Sequence, residues 1–337
     1  MNNRENFKIA FFGVKPWERE IIEKEISRID SFGIGIFEKE VHEDLEIAKE
    51  YDVISTFIYS KMDKKVLEKL PKLKMIASRS TGIDHIDVEE AKSRGIKVEN
   101  VPVYGSETVA EYAMALLLAV AKKIVCGHQA VEENYFSPEG LTGVDLAGKT
   151  MGVIGVGKIG QNMIRFARGF RMKVLGVDGH RVPGLEKKMG FKYADLEKCL
   201  KESDFVSLHV PSIPETFHLI NKENIKLMKR GCILINTSRG TVVEAEAIVW
   251  ALNKGILAGA GLDVVEEEGL LIDNGEGVLA NGVTKDDLRE MVSYHLLRDR
   301  DDVVLTPHNA FNTREAIGRI VETTVGSIVD FCKVSVI

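Results

Sequence analysis

Basic charge is what this chain most plainly lacks. Its 337 residues carry 45 Lys and Arg against 51 Asp and Glu, a net charge of -6. No broad positive field is present to hold nucleic acid or an anionic membrane. Cysteine is sparse: Cys126, Cys199, Cys232 and Cys332 stand far apart, with no CxxC or Cys/His ligand spacing. That excludes a disulfide framework and offers no metal site, so these are expected to be buried thiols in a reducing compartment. Long hydrophobic runs are missing too. The longest, "AMALLLAVA" at 113–121, falls well short of the roughly 20 residues that span a bilayer, and reads as a buried helix. The polar start "MNNRENFKIA" has no signal-peptide apolar core. Internal repeats and low-complexity tracts are absent, and the expected location is cytoplasmic.

What the chain does have is alternation. "FKIAFFGV" (7–14) reads as a strand, and "PWEREIIEKEISRI" (16–29) as a helix with Pro16 in its first turn. Strand, helix, strand, helix and strand follow at 51–58, 64–70, 74–80, 87–95 and 96–101. A long helix is expected from Thr108 to Lys123, with Thr108 and Glu111 at capping-box spacing. The alternation restarts at "KTMGVIG" (149–155), and further strands are read at 173–178, 205–210, 232–236, 259–264 and 303–306. Short β–α–β units imply parallel sheets with helices on both faces. The expectation is an α/β chain of two doubly wound parallel-sheet domains with a cleft between them. The final helical segment (313–331) could return to the first domain, so the division is expected at 1–103 plus 308–337 and 104–307. The stretch 269–302 is irregular apart from a possible helix at 285–297.

"GVIGVGKIGQ" (152–161) contains Gly155-x-Gly157-x-x-Gly160. Alone this is a weak signal, and a glycine-rich turn without a ligand would read the same. Here an apolar strand precedes it, a helix follows, and a second strand ends at Asp178, 18 residues beyond Gly160. That context fits a Rossmann dinucleotide site, in which the glycines let a pyrophosphate approach a helix N-terminus. A carboxylate at Asp178 would accept from both adenosine ribose hydroxyls and repel a 2′-phosphate, favouring NAD over NADP, although Arg181 lies close in sequence.

A nicotinamide-dependent enzyme acting on an acid needs a carboxylate anchor and a proton donor. Arg239, in "INTSRGTVV" directly after a strand, can hold a carboxylate through two parallel charge-assisted bonds. It reads equally as a solvated loop arginine. Of the eight histidines, His42, His128, His180 and His218 lie in polar surroundings and are expected at the surface. His85, His209 and His308 sit at strand ends and His295 in the irregular stretch. Local grounds select none of them. "GLDVVEEEG" (261–269) runs a strand into three glutamates. Either the triplet is solvated, or one of Glu266, Glu267 and Glu268 turns inward as half of an acid–base pair.

Six segments, "STGIDHID" (80–87), "GVIGVGKIGQ", "LHVP" (208–211), "NTSRG" (236–240), "GLDVVEEE" (261–268) and "LTPHNAF" (305–311), occur in the order and approximate spacing of the D-isomer-specific 2-hydroxyacid dehydrogenases. The resemblance covers nearly the whole chain, and "VPVYGSETVAEY" (101–112) and "PHNAFNT" are most similar to the D-lactate dehydrogenase branch. It implies a flavodoxin-like substrate domain and a Rossmann NAD-binding domain, and an enzyme that reversibly reduces a 2-keto acid, first of all pyruvate, as a cytoplasmic homodimer joined through the 108–121 helix. By this resemblance Arg239 binds the substrate carboxylate, His308 exchanges the proton, and Glu268 pairs with His308, leaving Glu266 and Glu267 structural or solvated. NAD contacts are implied for Gly155, Gly157, Lys158, Ile159, Gly160, Asp178, Val210, Pro211, Thr216, Thr237, Ser238, Arg239 and Asp263. Substrate contacts are implied for Thr81, Gly82, Tyr104, Arg239, His308 and Phe311.

Two segments depart from the family pattern. Gly105-Ser106-Glu107 replaces a Ser-Pro-Asn-like turn, and Asn312 stands where the lactate branch often has Tyr. Both bear on which keto acid is preferred. The alternatives are a phosphoglycerate dehydrogenase-like enzyme, which would need basic residues for a phosphate, and an NADH-sensing corepressor-like binding protein sharing the fold.

Overall fold

A computed structural model of the chain describes residues 7–27, 32–266 and 285–334. Two compact units are present, one made of Met1–Gly105 with Asn312–Ile337 and the other of Ser106–Phe311.

In the first unit, strands β1 (Lys8–Phe11), β2 (Gly33–Ile36), β3 (Val53–Thr56), β4 (Met75–Ser78) and β5 (Lys97–Glu99) pair in the order β2-β1-β3-β4-β5, all parallel. This is the flavodoxin-like order. The central strands are buried on both faces, which is why "VIST" and "MIAS" read as unbroken apolar or small runs. On one face Ile317, Val321, Val325 and Ile328 of the helix Arg314–Val334 form a single stripe against Phe7, Ile9, Phe11, Ile22 and Met75. The final helix therefore does return to the first unit. Strand β2 is absent from the sequence reading: its "GIGI" carries two glycines, which are poor strand formers.

The same unit buries an ion pair. Arg79 is fully buried, and its Nη2 lies 3.2 Å from Glu18 Oε1, itself at the start of the helix Pro16–Ile26. Arg79 also donates to Phe12 O (2.9 Å) and Ser55 Oγ (3.1 Å), so β1, β3 and β4 are tied to one guanidinium.

The second unit contains β6 (Thr150–Ile154), β7 (Lys173–Val177), β8 (Lys192–Tyr193), β9 (Phe205–Leu208), β10 (Cys232–Asn236), β11 (Leu257–Leu262) and β12 (Val303–Leu305). The order is β12-β11-β10-β9-β6-β7-β8, again all parallel. This is the doubly wound dinucleotide-binding order with one extra edge strand, and the order reverses between β6 and β9.

The helix Ser106–Ala121 starts two residues earlier than expected, so Thr108 lies within its first turn and does not cap it. Met114, Leu116 and Leu117 of this helix pack on Met151, Val153 and Ile235 of the sheet. Tyr112, Leu118, Ala119 and Val120 of the same helix are half-buried, and Ala115 is exposed. The following helix, Ile124–Glu132, has no buried residue and was not read from the sequence. Among the described residues no helix is long and apolar enough to cross a membrane.

Glu18→Ala would strand a buried guanidinium. It is expected to lower stability by about 3–5 kcal/mol, seen as a lower denaturant midpoint for the transition of the first unit.

Candidate active site

Parallel pairing places the turns after β6, β7, β9, β10, β11 and β12 along one edge of the second sheet, and the switch point lies between β6 and β9. At that point Gly155 has φ +93°, and a Cβ there would lie 2.4 Å from His209 O. A Cβ on Gly160 would lie 1.9 Å from Gly155 O, so the helix Lys158–Gly169 can close on the turn only without a side chain. Around Gly157, the N-cap, a Cβ would meet no atom within 4 Å. The requirements at Gly155 and Gly160 are internal packing, while Gly157 opens outward at a helix start, where N–H groups lack intrahelical partners. A pyrophosphate fits there.

Asp178, at the end of β7, is held with its carboxylate facing the same turn. Oδ2 accepts from Val156 N (2.7 Å) and Oδ1 from His180 N (2.8 Å). Arg181 is directed elsewhere, donating to Ala194 O (3.2 Å) and lying 5.6 Å from the Tyr193 ring centre. After β9, Val210 is half-buried and Pro211 exposed. The Thr216 hydroxyl closes that loop on itself, bonding Pro211 O at 2.5 Å. Burial pushes His209 down to about 4, and its Nε2 is 2.9 Å from Ser207 Oγ.

After β10 the turn is built by Asn236, a residue the sequence reading passed over. Its Oδ1 accepts from Ser238 N (3.0 Å) and Ser238 Oγ (2.7 Å), and its Nδ2 donates to Arg239 O (2.9 Å). The turn leaves Arg239 half-buried, with Nη1 2.8 Å from Ser238 O. Thr237 Oγ1 is buried without a hydrogen-bond partner among the described residues. A buried hydroxyl left unpaired is costly, and a polar ligand group at this position would satisfy it.

Asp263 ends β11 and is 1% exposed. Its carboxylate accepts from Thr306 Oγ1 (2.5 Å), Asn309 N (2.8 Å) and Ala310 N (2.8 Å), and its own carbonyl accepts from His308 N (2.8 Å). Burial pushes the Asp263 carboxyl above the ordinary range, and these donors together with the nearby His308 oppose that rise. The result fixes residues 306–310 as a rigid loop, with His308 in the left-handed region at φ +50°. Phe311, 8% exposed, meets the His308 ring edge-on at 6.5 Å between centres. The expected division gave His308 to the first domain; its backbone N–H donates to Asp263 O and Thr306 O, both within Ser106–Phe311.

Of the three glutamates, Glu266 is turned inward. Its Oε1 lies 2.5 Å from His218 Nε2 and its Oε2 accepts from Ala245 N (2.9 Å). His218, expected at the surface, is thus half-buried in a pair that joins the loop after β9 to the end of β11. Glu267 and Glu268 lie outside the described residues, so the expected Glu268–His308 pair does too. In the first unit, Thr81 and Gly82 follow β4, and Tyr104 follows β5 with its carbonyl bonded by Arg319 Nε at 2.5 Å. Among the described residues no cluster of three or more His, Cys, Asp or Glu could hold a metal ion.

Comparison with known proteins agrees with this arrangement. The family described as D-isomer specific 2-hydroxyacid dehydrogenase, NAD binding domain, matches residues 114–310. The chain is 39% identical to a glyoxylate reductase of Thermococcus litoralis over 94% of this chain and 92% of that one. It is 34% identical to a D-lactate dehydrogenase of Escherichia coli, covering 95% of each. The crystal structure of D-lactate dehydrogenase from Aquifex aeolicus complexed with NAD and lactic acid superposes with a TM-score of 0.85, at 35% identity, covering 97% of this chain and 96% of that one.

Gly157 and Gly160 separate ligand approach from packing. Gly157→Ala is expected to leave the melting temperature near the parent's while weakening NADH binding roughly tenfold or more, measured by fluorescence titration. Gly160→Ala is expected to lower the melting temperature itself.

Proposed function

Because the chain belongs to the D-isomer specific 2-hydroxyacid dehydrogenase family, we propose that it reversibly reduces pyruvate to the D-2-hydroxy acid, with NAD as its cofactor. The observation that carries this reading is the placement of Arg239 and of the Asp263-clamped His308 on the edge that also bears the glycine turn.

The bound cofactor supplies or accepts the hydride. In this reading Arg239 grips the substrate carboxylate with parallel N–H donors and sets the keto carbon's orientation. Negative charge growing on the keto oxygen is met by that guanidinium and by protonated His308, which delivers the proton; in oxidation His308 takes it back. Asp263 acts as a positioning residue, since it fixes the backbone from which the imidazole projects. Glu268 is assigned as the carboxylate partner of His308, on the family resemblance alone. The same resemblance assigns Thr81, Gly82 and Tyr104 to the substrate. For the cofactor, Thr237 Oγ1 supplies a buried polar contact, and Asp178 receives the ribose while excluding a 2′-phosphate.

Phe311 beside His308 favours a methyl-bearing substrate over one with hydrogen in that place. The gain is bounded, because one methyl group is worth about 0.8 kcal/mol when buried. Glyoxylate is therefore the second reading, and the glyoxylate reductase relative supports it. We also assign the protein to the cytoplasm, consistent with four free cysteines, of which Cys199 and Cys332 are pushed up to about 11 by burial. A homodimer is proposed through the helix Ile124–Glu132 and the residues after it, where Ile124, Val131, Tyr135 and Phe136 are exposed.

NADH oxidation by the purified chain tests the function. The expected result is turnover of pyruvate with a kcat/KM several-fold above that for glyoxylate, little activity with NADPH, and none with 3-phosphohydroxypyruvate. His308→Ala should lower kcat by about 10²–10⁴. Tight NADH binding without turnover of any keto acid would overturn the enzyme reading in favour of a binding protein. Light scattering tests the dimer, which Phe136→Glu is expected to dissociate.

A further inference from the structure

Three successive carbonyls after β4 are tied down within the first unit. Ser80 O accepts from Val101 N (3.0 Å), Thr81 O from Asn100 Nδ2 (2.6 Å), and Gly82 O from Ser80 Oγ (2.6 Å). Ser80 has one hydroxyl proton and uses it on Gly82 O, so Ser78 is the donor in the 2.7 Å contact between the two serine oxygens. The Thr81 side chain is also committed, donating to Val101 O at 2.7 Å.

A trans peptide holds its C=O and N–H on opposite sides, and no cis bond is found among the described residues. Each tethered carbonyl therefore aims the N–H of the following residue away from the tether. The groups so aimed are the N–H of Thr81, Gly82 and Ile83, and none of the three has an acceptor among the described residues. Backbone donors held in place yet unsatisfied are suited to an anion.

The middle peptide differs from its neighbours in how it is held. The Ser80–Thr81 peptide is fixed by the backbone of the chain after β5, but the Thr81–Gly82 peptide is fixed by the Asn100 carboxamide. The direction of that bond is not open to an amide flip, because a carbonyl oxygen can only accept. A carboxamide also suits the place electrostatically: it donates without adding charge beside an anionic ligand, whereas a carboxylate could not donate at all.

We infer that Asn100 is a positioning residue for the substrate, holding the Thr81 carbonyl so that the Gly82 N–H meets the carboxylate of the 2-keto acid. Ser80 does the same for the next peptide through its hydroxyl. This inference rests on the reading of the chain as a 2-keto acid reductase.

The test compares full-length Asn100→Ala and Asn100→Asp with the parent, measuring kcat, KM for the keto acid, KM for NADH, the melting temperature and inhibition by oxamate, which carries the same carboxylate but does not react. Asn100→Ala is expected to raise the keto acid KM and the oxamate inhibition constant together by roughly tenfold, with KM for NADH and kcat close to the parent's. Asn100→Asp should raise both further, by setting one carboxylate near another. A merely structural residue would instead lower the melting temperature and move both KM values. An Asn100→Ala enzyme with the parent's keto acid KM and oxamate inhibition overturns the inference and leaves the enzyme reading standing. If Asn100→Ala does not fold, Ser80→Ala takes its place, with a smaller rise in the same two constants expected and no rise overturning the inference. A parent that reduces no 2-keto acid overturns the underlying reading, and the inference with it.

Discussion

Parallel pairing governs the second unit. Strands that all run the same way need a crossover after each one, and the crossovers leave every carboxyl-terminal turn on the same edge of the sheet. Residues as far apart in sequence as Gly157, Asp178, Arg239, Asp263 and His308 reach that edge for this reason. Chemistry is then a matter of which side chains those turns carry. The sheet itself needs only apolar residues on both faces, as in the fully buried "CILIN" of β10.

Turns at a sheet edge are loose unless something holds them, and here buried polar groups do so. Asn236 shapes the turn that carries Arg239, and Asp263 shapes the loop that carries His308. In the first unit Arg79 ties three strands to Glu18, while Asn100 and Ser80 fix the peptides around Gly82. Each such group would be costly to bury alone, and each is matched by donors or acceptors in suitable geometry. Thr237 Oγ1 is the exception among the described residues, and it lies on the edge that has to receive a dinucleotide.

Much of this was legible in the sequence because the signals are local. A strand, a glycine turn and a helix are adjacent in the chain, so Gly155, Gly157 and Gly160 with Asp178 could be read before any contact was known. Arg239 and His308 could be placed at strand ends, although only the family resemblance singled out His308 among eight histidines. Strand β2 escaped because glycine weakens its pattern, and the helix Ile124–Glu132 because it has no buried stripe to impose a period on its sequence. The pairing of His218 with Glu266 joins residues 48 positions apart, and no local pattern reports it.

By itself the sequence determined two α/β units, a dinucleotide-binding turn and the set of residues at strand ends, since periodicity, glycine spacing and charge depend on near neighbours in the chain. Tertiary structure decided which polar side chains face each other: that Glu266 turns in toward His218, that Arg181 faces Tyr193 and leaves Asp178 to itself, and that Asp263 and Asn100 hold backbone for their neighbours. A hydrogen bond is satisfied only over about 3 Å and within a narrow range of angles. That precision arises from how separate segments pack, and no single segment of sequence contains it.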